Sequence, residues 1–304
     1  MLELNIQNET SRLRSVILGT AKCNGPVPKA EDCYDPKSLE SVLTGRYPKE
    51  ENMVFEMDTV ESVLKKYDVH VYRPNIIQDC NQIFSRDIAF IIENKIIRAN
   101  ILPDRKREIE AIRYVWNQVD RKNRIVLPKE CHVEGGDVMP WGENIFMGTY
   151  SGEDYTDYIT ARTNMDAVIA IQELFPDKTV KAFELQKSNT NPKENILHLD
   201  CCLQPLGKGK AIIYKSGFLI ECEYQWLVDF FGKDNIFELT TDEMYSMNSN
   251  VFSISEDVIL SEKNFSRLNS WLRKEGFIVE EVPYAEIAKL GGLLRCTTLP
   301  LIRD

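Results

Sequence analysis

The sequence predicts an α/β fold in which five ββαβ units close into a propeller around a central channel. Two observations carry that expectation. A strand, a tight turn, a second strand, a helix and a return strand recur through the chain, and the copies open just after a polar or reactive residue: Asp87, Asp137, Asp200, Asn250 and Cys296. The spacings between them, 50, 63, 50 and 46 residues, are regular and longer than the periods of the common solenoids. Such units are expected to form a ring with the helices outside and the strand ends converging on a central site. Chain ends meeting in one module is a familiar way of closing a ring of this kind.

Taken in order, Arg14-Ser15-Val16-Ile17-Leu18-Gly19 is a short apolar run ending in glycine and reads as a buried strand. Residues 21–51 are rich in proline, glycine and charge and show no clear period; a connection of this length is expected to be a lid over the site. Met53, Met57, Val60, Leu64 and Tyr67 then recur at helical spacing, which predicts an amphipathic helix, followed by a strand over 69–72 closed by Pro74. The first full unit is expected at 88–92, 96–101, 104–119 and 125–127, and the second at 138–141, 145–150, 160–175 and 180–185. A third runs 201–206, 211–215, 224–231 and 236–239. The fourth runs 251–254, 258–260, 264–275 and 277–279, with Gly276 as the helix C-cap. Residues 296–302 open a fifth unit and stop. The N-terminal strand and the helix over 53–67 are expected to supply what it lacks, so residues 1–304 read as one domain.

Composition narrows the function. At 304 residues with 43% apolar content the chain can fill a sizeable core, and its formal charge of −10 carries no lysine or arginine cluster dense enough to track a phosphate backbone. Nucleic acid is not expected as a partner; a small cationic ligand suits the field. No stretch reaches the roughly 18 apolar residues of a membrane span, and no basic segment leads into an apolar one at the N-terminus, so a cytoplasmic location without membrane contact is expected. The eight cysteines are scattered without the pairs of a zinc site or the density of a disulfide scaffold, and read as reduced thiols. The oligomeric state is open, a homodimer included.

Three histidines make their assignment tractable. His70 lies in an alternating strand and reads as structural, whereas His132, just before Glu134-Gly135-Gly136-Asp137, is open between a structural and a site role. His198 lies in Leu197-His198-Leu199-Asp200, where strand alternation puts the imidazole and the Asp200 carboxylate on one face. The repeat brings Asp87, Glu134, His198, Asp200 and Cys296 to equivalent ends of different units. Three carboxylates, an imidazole and a thiol suit a planar cation with an electrophilic carbon.

At these residues the chain resembles the guanidino-group-modifying enzymes: arginine deiminases, dimethylarginine dimethylaminohydrolases and glycine amidinotransferases, which share the five-bladed pentein fold. The resemblance runs through Asn81-x-x-Phe84-x-Arg86-Asp87, Glu134-Gly135-Gly136-Asp137, Arg162-Thr163, His198-x-Asp200, Asn250-Val251 and the terminal Gly291-Gly292-x-x-x-Cys296 with Pro300-Leu301-Ile302-Arg303-Asp304. It implies Cys296 as nucleophile, His198 as general acid and base, Glu134 as the carboxylate orienting it, and Asp87 with Asp200 gripping the guanidinium. Phe84 would pack on the planar group, and Arg162 and Arg105 resemble the arginines that meet a substrate carboxylate. Lys289-Leu290-Gly291-Gly292 is closer to the dimethylarginine hydrolases, while the stretch after Cys296 is more like the deiminases.

The chemistry is coherent without the family. Carboxylates accept paired N–H bonds from a guanidinium in a planar fork. A thiol of ordinary pKa, about 8.5, attacks only when a neighbouring cation stabilises its thiolate. The leading expectation is a hydrolase that breaks a C–N bond of arginine, an N-substituted arginine or another guanidino compound through a cysteine adduct, with no metal or organic cofactor. The alternatives are an amidinotransferase, in which an amine resolves the adduct, and a non-catalytic pentein such as a ribosome-binding initiation factor.

Overall fold

Apolar runs of two to six residues become the strands, and fifteen of them form five sheets of three in a computed structural model that describes residues 1–304. After the N-terminal segment comes β1 (Leu13–Leu18), then α1 (Pro36–Leu43), α2 (Glu50–Lys66) and β2 (His70–Tyr72). Four units follow: β3 (Ala89–Ile92), β4 (Lys95–Arg98) and β5 (Arg124–Val126); β6 (Val138–Trp141), β7 (Asn144–Thr149) and β8 (Thr179–Glu184); β9 (Leu203–Pro205), β10 (Ala211–Ile213) and β11 (Ile236–Glu238); β12 (Phe252–Ser253), β13 (Val258–Glu262) and β14 (Ile278–Val282). β15 (Thr298–Arg303) ends the chain.

Every blade has one pattern: the first strand pairs antiparallel with the second, and the third returns parallel to the second after a helical crossover. Parallel neighbours need such a crossover, whereas the antiparallel pair needs only a hairpin. At the β9–β10 hairpin both Lys208 and Gly209 take positive φ, the geometry a tight turn between twisted strands demands. The expected closure is present. β15 pairs antiparallel with β1 while β2 runs parallel to β1, so the two ends of the chain build one blade. The N-terminal segment reinforces it, Asn5 bridging to Ile302 and Ile6 to Glu93 of the next blade.

Two of the expected crossover helices depart most from the sequence pattern. The helix expected over 104–119 is broken into Lys106–Glu110 and Arg113–Trp116. The Ala111 carbonyl accepts the N–H of Asn75 at 2.9 Å, which draws it out of the helical ladder. The helix expected from 160 begins at Met165, where the Asn164 side chain caps the N–H of Ala167. Residues 21–51 also hold more structure than their pattern suggested. Asp35 accepts from the N–H groups of Lys37 and Ser38 and starts α1, with Pro36 at its first position.

The largest apolar cluster runs from α2 and β1 through the third, fourth and fifth blades and includes Phe84, Leu293, Leu294 and Cys296. The thiol thus sits on a packed apolar floor. No helix is long and apolar enough to cross a membrane.

Candidate active site

Helical turns deliver the buried acids. Ser85–Ile88 precedes β3, Gly135–Asp137 precedes β6 and Leu199–Cys201 precedes β9, so Asp87, Asp137 and Asp200 leave their turns just ahead of a blade's first strand. Asn250 and Cys296 stand in the same relation to β12 and β15. The segment around His198 is therefore not the alternating strand its pattern suggested. Leu199 N–H donates to Asp137 Oδ1 at 2.8 Å and the Asp200 carbonyl accepts from Ser249 Oγ at 2.8 Å, so side chains, not a strand ladder, satisfy this backbone.

A cavity of about 120 Å³ opens at this end of the channel. Phe84, Asp87, Arg105, Arg162, His198 and Cys296 all face it, and residues of the 21–51 segment, among them Asn24, Tyr34 and Asp35, cover it. Glu134 and Asp200 do not line it; both are fully buried just behind the residues that do. Two glycines make the close approaches possible. A Cβ at Gly136 would lie 2.7 Å from the His198 ring, and one at Gly292 would lie 2.4 Å from the Phe84 ring.

His198 Nε2 meets Glu134 Oε2 at 2.7 Å, which leaves Nδ1 as the free edge, 3.8 Å from Asp87 Oδ1. That Asp87 oxygen has no partner in the protein although it is buried. Burial opposes a charge on His198, but Asp87, the Glu134 hydrogen bond and Asp137 carry its pKa up to about 9. Glu134 is the counterweight: against its burial, Arg162, Arg105 and His198 hold its carboxyl well below the usual range. Asp87 is pushed upward by burial, with His198 and Arg105 opposing.

Cys296 is held from two sides. Asn250 accepts the Cys296 N–H at 3.0 Å through Oδ1 and donates to Sγ at 3.1 Å through Nδ2, and Sγ lies 3.5 Å from Asp200 Oδ2. Burial, then Asp200, Cys201 and Asp87, push the thiol well above its ordinary pKa. The surroundings thus favour the neutral form of the Cys296 thiol and the charged form of the His198 imidazole.

Asp87, Glu134 and His198 bring three possible metal-ligand atoms within 4.8 Å of one another. Two guanidinium groups already occupy Glu134, Arg105 at 3.3 Å and Arg162 at 3.0 Å, and the imidazole carries a proton at neutral pH, so the cluster is matched to hydrogen-bonded cations and poorly to an ion.

The family model for eukaryotic N,N-dimethylarginine dimethylhydrolase matches residues 46–303. The chain belongs to this family. It is 29% identical over 224 residues to the uncharacterised protein YkgA of Bacillus subtilis (strain 168), covering 73% of this chain and 70% of that one. Solved structures share its fold. The N-terminal domain of ArgZ, an arginine dihydrolase from the ornithine-ammonia cycle in cyanobacteria, superposes with a TM-score of 0.78 at 16% identity, over 95% of this chain and 98% of that one. The amidinotransferase SxtG of Microseira wollei, from the saxitoxin biosynthetic pathway, gives 0.74 at 17% identity, over 99% and 97%. The inosamine-phosphate amidinotransferase of Streptomyces griseus gives 0.77 at 17% identity, over 100% and 98%. The fold is the five-bladed pentein propeller, and the chain is a member of a guanidino-modifying enzyme family.

Around the family motifs stand residues that the sequence did not mark. Arg295 lies beneath Cys296, donating to Asp200 Oδ2 at 2.9 Å and to both oxygens of Glu9 at 3.1 Å. Its place beside the cysteine was a signal of a kind; Glu9, in a polar N-terminal stretch, offered none. Glu108 clamps Arg105 with two bonds of 2.9 and 2.8 Å. His132 lies apart from the cavity, on Asp154 and Tyr155 in an outer cleft. Asp137 receives Thr163 and the Leu199 N–H and supports the His198 segment. His70, exposed at the edge of the closing blade, packs against the Tyr72 ring.

Proposed function

We propose that this chain is a hydrolase acting on the guanidino group of arginine, an N-substituted arginine or a related guanidino compound through an S-amidino adduct on Cys296. The observation that carries the reading is the meeting of Cys296, the free Nδ1 edge of His198 and the unpartnered Asp87 oxygen at one small cavity. A guanidinium laid on Phe84 would donate to the free Asp87 oxygen, and would reach Asp200, behind the cavity wall, only as Cys296 gives up its 3.5 Å contact with that carboxylate. That supplies the positive charge the thiol lacks, so Cys296 loses its proton to solvent as substrate binds, and the resting thiol is protected from side reactions.

The thiolate then attacks the central guanidino carbon and forms a tetrahedral adduct. His198, held by Glu134 through Nε2, gives its Nδ1 proton to the departing amine as the C–N bond breaks. The neutral imidazole next takes a proton from water as the water oxygen bonds to the same carbon. Collapse of that second adduct breaks the C–S bond and returns the Cys296 thiolate with a ureido product. In this scheme Arg105 and Arg162 act on Asp87 and Glu134, fixing the acids around the imidazole. The eight free cysteines fit a reducing, cytoplasmic setting.

Incubation with arginine and N-methylated arginines, with and without glycine, tests the reaction. Citrulline with ammonia or a methylamine, formed without glycine, is the expected result; ornithine and guanidinoacetate formed only when glycine is present would make the chain an amidinotransferase. Cys296→Ser is expected to lower turnover by more than about a thousandfold. An acid quench should trap an amidino adduct on the Cys296 peptide and on neither Cys201 nor Cys202.

A further inference from the structure

Two buried side chains of opposite charge hold the backbone on either side of His198. Asp137 Oδ1 accepts the Leu199 N–H at 2.8 Å on one side. On the other stands Lys187, three residues past the end of β8, whose Nζ donates to the Ile196 carbonyl at 2.9 Å and the Leu197 carbonyl at 2.8 Å. No other protein group donates to either carbonyl. Lys187 is only 6% exposed, and its root is fixed as well: Gln186 N–H donates to the Gly217 carbonyl at 2.9 Å, and the Gln186 carbonyl accepts the Ile196 N–H at 2.8 Å.

Burying an ammonium costs more than burying a neutral donor that two carbonyls would accept equally well, so the charge itself calls for a reason. Asp137 supplies one. Burial pushes the Lys187 pKa down, and the Asp137 charge is the largest influence opposing it; burial pushes Asp137 up, with His198 and Lys187 opposing. The His198 ring makes one hydrogen bond of its own, from Nε2 to Glu134 at 2.7 Å. A single bond leaves the ring free to swing about it, so the direction of Nδ1 depends on where the backbone from 196 to 199 is held. Lys187 does not line the cavity and so acts on the reaction only through this segment.

We propose that Lys187 is a positioning residue which, with Asp137, clamps the backbone around His198 so that Nδ1 faces the departing amine. The proposal rests on the guanidino reading above and adds a residue to its proton transfer. The test compares two substrates: arginine or N-methylarginine, whichever the wild type turns over faster, and the arginine analogue carrying a methylthio group in place of one terminal nitrogen. With either, the C–S bond to Cys296 forms and the bond to the leaving group breaks. The amine must take a proton from His198 as it leaves, whereas methanethiolate leaves with its electron pair and needs none. Because kcat/KM covers only the steps up to that departure, it separates the two cases. Lys187→Met is expected to lower kcat/KM about tenfold or more for the guanidino substrate and less than about threefold for the analogue. Lys187→Gln, which keeps an N–H donor, should fall between wild type and Lys187→Met. The ratio of the two values on one preparation does not depend on how much of it is folded. An equal loss on both substrates, or no loss on either, overturns the positioning role while leaving guanidino chemistry standing. Wild-type turnover of none of these compounds removes the guanidino reading, and this inference with it.

Discussion

The surroundings of His198 and Cys296 push both pKa values up, with opposite consequences for the roles proposed for them. For the imidazole a raised pKa means charge at neutral pH; for the thiol it means the absence of charge. In the proposed mechanism kcat/KM should rise with pH as the Cys296 proton becomes easier to lose, then fall above about 9 as His198 loses the proton it must donate. A profile with no falling limb by about pH 10 would remove His198 as the acid. Stability has the matching sign. A histidine whose pKa rises from 6.5 to about 9 on folding stabilises the folded state fully below about 6.5, and that contribution fades as pH climbs through 9. It is on the order of 3 kcal/mol, readable as the pH-dependent gap between wild type and His198→Gln in urea unfolding. Arg295 gives a second residue-scale test. It is fully buried between Glu9 and Asp200, so Arg295→Met strands two carboxylates and should cost roughly 3–5 kcal/mol by the same measurement.

At the scale of elements, the covering segment is part anchored and part exposed. Its α1 end is pinned where Ser41 Oγ donates to the Lys289 carbonyl at 2.7 Å and Ser38 Oγ to that of Leu290 at 3.3 Å. Its start is pinned where Glu50 receives the N–H groups of Cys23 and Asn24 at 3.1 and 3.0 Å. Between those anchors, residues 26–32 are mostly exposed and free of side-chain bonds to the blades. Loops that cover a reacting centre in this way exclude water when they close. Limited proteolysis should therefore cut within 26–32 first, and saturating arginine on Cys296→Ala should slow the cut several-fold. Cleavage at an unchanged rate would mean that the segment does not respond to occupancy.

The whole molecule is a ring closed by its own ends. β15 pairs with β1 along its length, Asn5 and Arg303 bond to each other's backbone, and Cys296 stands two residues ahead of this seam. Removing Thr298–Asp304 would leave β1 as an open edge and Glu9 without the frame that holds Arg295 over it. The truncated chain is expected to lose cooperative melting by circular dichroism, whereas removing a single exposed terminal residue should not. A truncated chain that melts like the full one would mean the blade is not what closes the ring.

How much of this was legible in the chain follows from the range of the forces involved. Strands, hairpins, most outer helices and the five-fold period are written in local apolar periodicity and turn residues, so they were readable in order, including the closing blade. The family motifs marked Cys296, His198, Glu134, Asp87 and Asp200 because each sits two to five residues before a strand. The break at Ala111 and the turn at Leu199–Cys201 were not readable, since each depends on a hydrogen bond from a distant segment, Asn75 in one case and Asp137 in the other. Nor were Glu9 beneath Arg295 or Glu108 on Arg105. Burial decides which charges must find partners, and only the folded chain fixes which partners are within reach. The sequence by itself determined the blades and which residues are proposed to react. The tertiary structure decided their charge states and their buried partners, because those depend on distances across the ring that no local pattern encodes.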